Sequence, residues 1–170
     1  MIFLASGRIV MLTNEVAVEI KRFTAAPENR LEAGGILLGC YRGPHVEIVG
    51  CTSPMPLDRR SRYGFVRCDP GHQGAAITAW NASGRTVNFV GEWHTHPETI
   101  PSPSRVDHNT WAAEMHRRQN DPLIFLIAGT AGVFCGMGLE GRLTKLDLVA
   151  CSNEIPLPHT QGETAPQALR

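Results

Sequence analysis

The stretch GEWHTHPETIPSPSRVD, residues 91–107, constrains this chain more than any other segment. The residues just before the stretch predict a strand, and the residues after its proline-rich centre show the apolar spacing of an amphipathic helix. A strand therefore leads into His94 and His96, and a helix begins near Ser104 and Asp107 beyond a short loop.

The two histidines are separated by one residue. Alternate side chains on a strand share a face, so His94 and His96 emerge on the same side. Two imidazoles on one rigid strand can bind a divalent metal ion together. A pair of packed or surface histidines would leave the same pattern, so this spacing alone leaves both interpretations open.

Ser104-x-x-Asp107 matches a helix capping box. In the simpler interpretation, Ser104 caps the helix and Asp107 supports its first turn. The loop between the strand and the helix could also fold back and bring the Asp107 carboxylate to the imidazoles. Two histidines and one carboxylate would leave a fourth tetrahedral position for water, as in hydrolytic zinc sites.

A hydrolytic site of this kind also needs a general base. Glu92 shares the histidines' strand face, and Glu98 lies in the loop that follows them. Glu32 precedes the segment AGGILLG, where glycines allow close approach of backbones. The local chemistry leaves the choice among these three carboxylates open.

The whole chain predicts an α/β or α+β fold in which several strands alternate with helices. Residues 1–155 would form one domain, and the polar, proline-rich residues 156–170 would form a flexible tail. Helices are predicted over 12–23, 72–84 and 104–120. Strands are predicted over 1–12, 34–43, 45–54, 63–67, 85–97, 122–129, 131–138 and 141–150.

Composition narrows the class of protein. The net charge is zero, which argues against a nucleic-acid partner, and no apolar run is long enough for a membrane span. The five cysteines are an odd number and contain no C-x-x-C pair. Reduced thiols in a cytoplasmic protein are therefore expected rather than a disulfide framework.

The combination of motifs resembles the JAB/JAMM (MPN+) zinc metalloprotease family. The matching elements are an upstream Glu32 in EAGGILLG, the tetrapeptide His-Thr-His-Pro at 94–97, and Ser104-x-x-Asp107 after the spacer 97–103. The resemblance covers roughly residues 12 to 140. It implies a curved mixed β-sheet flanked by helices, with a layout like that of cytidine deaminases.

The resemblance also assigns roles. It implies one Zn²⁺ per chain, held by His94, His96 and Asp107 with water as the fourth ligand. Glu32 would be the general base and acid, and Ser104 would stabilise the tetrahedral oxyanion.

The activity implied by the family is that of a zinc-dependent isopeptidase or endopeptidase. Such enzymes hydrolyse the bond after the C-terminus of ubiquitin or a ubiquitin-like modifier, during deconjugation or precursor processing. No Cys/His cluster for a second zinc ion follows Asp107, so this chain is more similar to bacterial stand-alone members of the family. Their setting implies an antiphage pathway with E1- or E2-like enzymes as partners, or a role in sulfur-carrier processing. A non-catalytic MPN scaffold that docks partner proteins is the alternative.

Four arginines lie in the connection between Glu32 and the histidines. They are Arg59, Arg60, Arg62 and Arg67. Either they are solvated loop residues, or they help to hold the extended tail of the substrate.

Overall fold

The computed structural model describes residues 1–24, 31–118 and 120–151. These residues contain ten strands and three helices. The helices are α1 Asn14–Lys21, α2 Gly71–Ala82 and α3 Arg105–Arg117. The strands are β1 Ile2–Ala5, β2 Arg8–Leu12, β3 Gly34–Arg42, β4 His45–Cys51, β5 Arg59–Ser61, β6 Gly64–Val66, β7 Asn88–Thr95, β8 Leu123–Ala128, β9 Val133–Leu139 and β10 Arg142–Ala150. Among these residues, no helix has the length and apolar character needed to cross a membrane.

Eight of the strands form a closed barrel in the order β1-β10-β9-β8-β7-β3-β4-β2. The barrel closes because β1 pairs with β10 on one side and with β2 on the other. The pairs β7–β8 and β2–β4 are parallel, and the remaining pairs are antiparallel. The expected mixed α/β domain is confirmed. The predicted cytidine-deaminase-like layout is not matched, because the sheet closes on itself. The predicted tail, 156–170, lies outside the described residues.

Two hairpins depart from the strands predicted by the sequence. Residues 1–12 fold into β1 and β2 around a turn at Ser6 and Gly7, whose φ angles are 48° and 75°. A Ser-Gly pair is a turn signal, but the surrounding apolar run suggested one strand. Farther along the chain, the short strand predicted over 63–67 is β6, and it pairs with a second strand, β5.

Strand β8 explains how helix α3 is held. Its sequence LIFLIA is buried at every position, which suits a strand that is covered on both faces. Ile124 and Leu126 belong to a core cluster shared with α1 and Trp93. Phe125 and Ile127 belong to a second cluster built around Trp111 of α3. Packing of Trp111 on β8 therefore holds α3 against the sheet.

A buried polar network holds the connection between β4 and α2. His72 Nδ1 lies 2.6 Å from Thr52 Oγ1, and His72 Nε2 lies 2.8 Å from Asp58 Oδ2. Thr52 Oγ1 also accepts a hydrogen bond from the Ile36 N–H, and the Thr52 carbonyl accepts one from Trp93 Nε1. The network therefore ties this connection to β3 and β7.

The Asp58 carboxylate is the acceptor at the other end of this network. Burial raises its pKa, but hydrogen bonds from the Met55, Asp69 and Cys68 backbone amides and from His72 outweigh burial and lower the pKa to about 2. Asp58 therefore stays ionised and fixes the point from which the β5–β6 hairpin extends.

Strand β7 contains an irregularity three residues before His94. Gly91 has a φ of 147°, and the β3–β7 register shifts opposite it, between Leu37 and Leu38. A Cβ atom at Gly91 would overlap the backbone of Ile124 on the neighbouring strand. Only glycine combines this backbone conformation with so close an approach.

We predict that Gly91→Ala lowers the free energy of unfolding by about 3–5 kcal/mol, because backbone strain and steric overlap act together. The matched control is Gly141→Ala, where φ is 72° and, apart from the adjacent residues of the chain, no heavy atom lies within 4 Å of the added carbon. This control should cost only about 1–2 kcal/mol. Urea unfolding of both variants measures the difference, and equal losses would contradict the assigned role of Gly91.

Candidate metal centre

The end of β7 and the first turn of α3 bring three side chains together. The Nε2 atoms of His94 and His96 are 3.0 Å apart. Asp107 Oδ1 lies 3.2 Å from His94 Nε2, and Asp107 Oδ2 lies 3.5 Å from His96 Nε2. One potential ligand atom from each residue lies within 4.8 Å of the others. The structure thus assembles the three residues that the sequence predicted as metal ligands.

Thr95, between the two histidines, fixes their backbone. Its hydroxyl accepts a hydrogen bond of 2.9 Å from the Ala33 N–H, and its own N–H donates to the Ala33 carbonyl at 2.8 Å. The His96 N–H donates to the Ala128 carbonyl at 3.0 Å. Because Thr95 is buried on the opposite strand face, both imidazoles are directed toward α3.

The capping box at the start of α3 is present as predicted. The Asp107 N–H donates to Ser104 Oγ at 3.2 Å, and the Ser104 N–H donates to Asp107 Oδ2 at 2.6 Å. The Asp107 carboxylate therefore caps the helix and faces the imidazoles at the same time. The two roles considered from the sequence coexist in one side chain.

The pKa values of the ionisable groups at the site are shifted in different directions. Burial raises the pKa of Asp107, but hydrogen bonds with His94 and His96 outweigh it and hold the pKa well below the usual range. The pKa of His96 is raised, chiefly by its hydrogen bond with Asp107 and against the effect of burial. Asp107 is accordingly an ionised carboxylate throughout the neutral range.

The donor set fits a zinc ion. Two imidazole nitrogens and one carboxylate oxygen converge on a common point, which is the ligand set of hydrolytic zinc sites with one open coordination position. Binding a cation there would also compensate the negative charge of Asp107. His94, His96 and Asp107 are therefore the residues that would hold the metal.

The structure distinguishes the three candidate bases by their contacts. Glu92 Oε1 accepts a hydrogen bond of 3.0 Å from Trp111 Nε1, and Glu92 Oε2 lies 3.5 Å from Arg67. Glu98, whose side chain is 50% exposed, accepts from the Ser102 N–H. Glu32 is buried, and within the described part of the chain its carboxylate has no hydrogen-bond partner.

The environment of Glu32 suits proton transfer. Burial raises the pKa of its carboxyl group, and the nearby His96 and His94 oppose that shift. A carboxylate with a raised pKa that is not engaged in another hydrogen bond is a stronger proton acceptor than an ordinary exposed carboxylate. Of the three candidates, Glu32 has the surroundings expected of a general base.

These residues line one cleft of about 520 Å³. Residues 62–67 of the β5–β6 hairpin form one wall, and Val106 and Thr110 of α3 lie on the other side. Of the four arginines, Arg62 and Arg67 line the cleft, whereas Arg59 and Arg60 are not among the described residues that line it. The sequence analysis considered these four side chains as one group, but in the structure only two of them face the cleft.

The sequence analysis did not predict the positioning contacts of several residues, although it named two of them, Arg60 and Glu92, for other roles. Thr95, Arg60 and Glu92 each contact a partner that is 19 to 62 residues away in the chain. A local motif carries no signal for such pairs. The H-x-H spacing drew attention to the histidines but not to the threonine between them.

The fold is that of a JAB domain. The chain belongs to the family of prokaryotic homologs of the JAB domain, which matches residues 16–138. The resemblance found in the sequence is thereby confirmed.

Curated relatives share most of the chain. A protein of Pseudomonas aeruginosa (strain BWHPSA011 / Pa011) named CD-NTase/cGAS isopeptidase is 38% identical over 115 residues, which are 67% of this chain and 73% of the relative. A protein of the same name from Escherichia coli (strain TW11681) is 31% identical over 137 residues, 81% of this chain and 86% of the relative.

A solved structure supports the fold alone. The solution structure of a Desulfitobacterium hafniense protein superposes with a TM-score of 0.59 at 22% sequence identity, covering 80% of this chain and 88% of the other.

We predict about one zinc ion per chain in the purified protein and loss of that zinc in His96→Ala, because removing one of three protein ligands leaves too few donors. Elemental analysis after dialysis measures the ratio. The matched control is His116→Ala, an exposed histidine on α3 that should leave the zinc content unchanged. A folded wild-type protein without zinc would contradict the assignment.

Proposed function

We propose that this protein is a zinc-dependent isopeptidase that hydrolyses the bond after the C-terminus of a ubiquitin-like modifier. The observation that carries the proposal is the convergence of His94, His96 and Asp107 beside the buried carboxylate of Glu32 in one cleft. The two relatives named CD-NTase/cGAS isopeptidase support this reaction class. Their name also suggests a substrate in which the modifier is joined to a CD-NTase related to cGAS.

Zinc and Glu32 would have different roles in the hydrolysis. A zinc ion bound by His94, His96 and Asp107 would act as a Lewis acid toward the scissile carbonyl and lower the pKa of a coordinated water. The Glu32 carboxylate would accept a proton from the attacking water and pass it to the departing amine. The raised pKa of Glu32 suits both halves of that transfer.

Ser104 would donate a hydrogen bond to the developing oxyanion, the role that the family resemblance implies for it. Its oxygen accepts from the Asp107 N–H, and its side chain lines the cleft beside the Asp107 carboxylate, with which its hydroxyl is also hydrogen-bonded. Removal of a donor of this type costs about 2.7–4 kcal/mol of transition-state stabilisation in other hydrolases.

The shape of the cleft favours an extended peptide tail. Strand β6 pairs with β5 on one edge, and within the described residues its other edge is unpaired. Exposed apolar side chains flank the cleft, with Tyr63 84% exposed at the hairpin and Val106 70% exposed on α3. An extended tail could pair with β6 and place its apolar side chains against these residues.

The resemblance extends the proposal to the pathway. Bacterial stand-alone members of the family imply an antiphage setting in the cytoplasm, with E1- or E2-like enzymes acting on the same modifier. The alternative, a non-catalytic scaffold, predicts no turnover of any conjugate. The complete set of ligand and base residues in the cleft favours the enzyme.

We predict that Glu32→Gln keeps the zinc but loses about 10²- to 10⁴-fold in kcat, because the amide cannot accept the proton. Cleavage of a ubiquitin-like protein joined by its C-terminus to a reporter lysine measures kcat, and elemental analysis measures zinc. Glu98→Gln should retain far more activity than Glu32→Gln, since the Glu98 side chain is half exposed, accepts from the Ser102 N–H and lies 3.9 Å from His96 Nδ1. Substantial turnover by Glu32→Gln would mean that the base is wrongly assigned.

We also predict that Arg62→Glu raises KM several-fold with little change in kcat. Arg62 lines the cleft beside Tyr63, with its guanidinium carbon 5.7 Å from the ring centroid, and a reversed charge would repel acidic groups of the modifier. Arg142→Glu, an exposed site on β10, is the charge-matched control. An unchanged KM in Arg62→Glu would remove Arg62 from the substrate site.

A further inference from the structure

We infer that Arg60 is a positioning residue that holds the backbone of Glu32 against the β5–β6 hairpin. The inference rests on the proposed role of Glu32 as general base. It assigns Arg60 a function different from that of the cleft arginines: Arg60 would orient the base, whereas Arg62 would contact the substrate.

The contacts of Arg60 carry the inference. Its Nε donates to the Glu32 carbonyl at 2.8 Å, and its Nη2 donates to the Leu31 carbonyl at 3.2 Å. A planar guanidinium with two bonded donors fixes its acceptors in orientation as well as in distance. The neighbouring Ser61 carbonyl accepts from the Glu32 N–H at 2.7 Å. Both backbone groups of Glu32 are therefore bonded to β5.

These contacts matter because Glu32 precedes the strand ladder. The β3–β7 pairing begins at Gly34, opposite His94. Ala33 is bonded to Thr95 on the histidine strand, but Glu32 itself makes its backbone bonds with the hairpin. The base is therefore held between the metal-ligand strand on one side and Arg60 with Ser61 on the other.

The hairpin is a firm support. Asp58, two residues before Arg60, is anchored by His72 and by three backbone N–H groups in the buried network. Nearer its tip, Phe65 packs directly over the start of β3, where a Cβ atom on Gly34 would overlap its ring. The same hairpin therefore forms the cleft wall and carries the bonds that hold Glu32.

This arrangement couples substrate contact to base alignment. A substrate tail bound along the β5–β6 hairpin would contact the same element that positions Glu32. Loss of the Arg60 guanidinium would leave the cleft wall in place but release the Glu32 backbone. The expected result is a defect in kcat rather than in KM, since small misplacement of a catalytic group slows the chemical step.

The test compares Arg60→Ala, Arg60→Lys and Arg59→Ala in the zinc-loaded full chain. Arg59 is an exposed neighbour on the same strand that does not line the cleft. Arg60→Ala should lower kcat about tenfold or more, with KM nearly unchanged. Arg60→Lys should recover part of the loss because its ammonium can replace one donor but not the fork. Arg59→Ala should match the wild type.

Hydrogen–deuterium exchange provides a readout that does not depend on turnover. Arg60→Ala should accelerate exchange in the peptide that contains Glu32, whereas a peptide from β8 should exchange as in the wild type. Equal acceleration in both peptides would mean general destabilisation and would overturn the inference. So would an Arg60→Ala variant that matches Arg59→Ala in kcat and exchange, or one that raises KM alone.

Failure of the proposed function would be recognised separately. If the wild-type protein cleaves no modifier conjugate, the isopeptidase proposal fails. The exchange experiment still decides whether Arg60 holds Glu32: selective acceleration at Glu32 supports it, and unchanged exchange overturns it.

Discussion

The exchange of hydrogen bonds between Thr95 and Ala33 is the contact on which the rest of the cleft depends. It joins the end of the histidine strand to the residue that follows Glu32, using both the side chain and the backbone of Thr95. Because Thr95 is buried, His94 and His96 must face the other way, toward α3. One side chain thus sets the direction of both candidate ligands and their position relative to the candidate base.

The two acidic groups of the cleft are separated by their surroundings. Asp107 is hydrogen-bonded to two imidazoles and to the helix N-terminus, so its pKa is lowered and the charged form is stable. Glu32 is buried with weaker compensation, and its pKa is raised. Environments that push two carboxylates in opposite directions allow one to bind a cation while the other transfers protons. This separation agrees with the roles proposed for them.

Elements of the fold that depend on local sequence patterns were predicted well, whereas features that depend on contacts between distant residues were not. Helix α3 and strand β8 were predicted well, because a capping box and a continuous apolar run are local patterns. Barrel closure was not predicted, since it requires β1 to pair with β10, the last strand in the sequence, as well as with β2. The division of the arginine-rich connection into a hairpin likewise required contacts with Glu32 and the buried His72 network that no local pattern encodes.

By itself, the sequence determined the chemical identity and local geometry of the candidate site: two histidines on one strand face, and a carboxylate in the first turn of a helix. These depend only on the period of a strand and the geometry of a helix cap. Tertiary structure alone decided which glutamate lies beside these ligands with its carboxylate not hydrogen-bonded to any described residue, and which arginine is hydrogen-bonded to the backbone of that glutamate. Glu32 and Arg60 are 28 residues apart, and Ala33 and Thr95 are 62 apart. Hydrogen bonds over such separations exist only once the barrel has brought β3, β5 and β7 together.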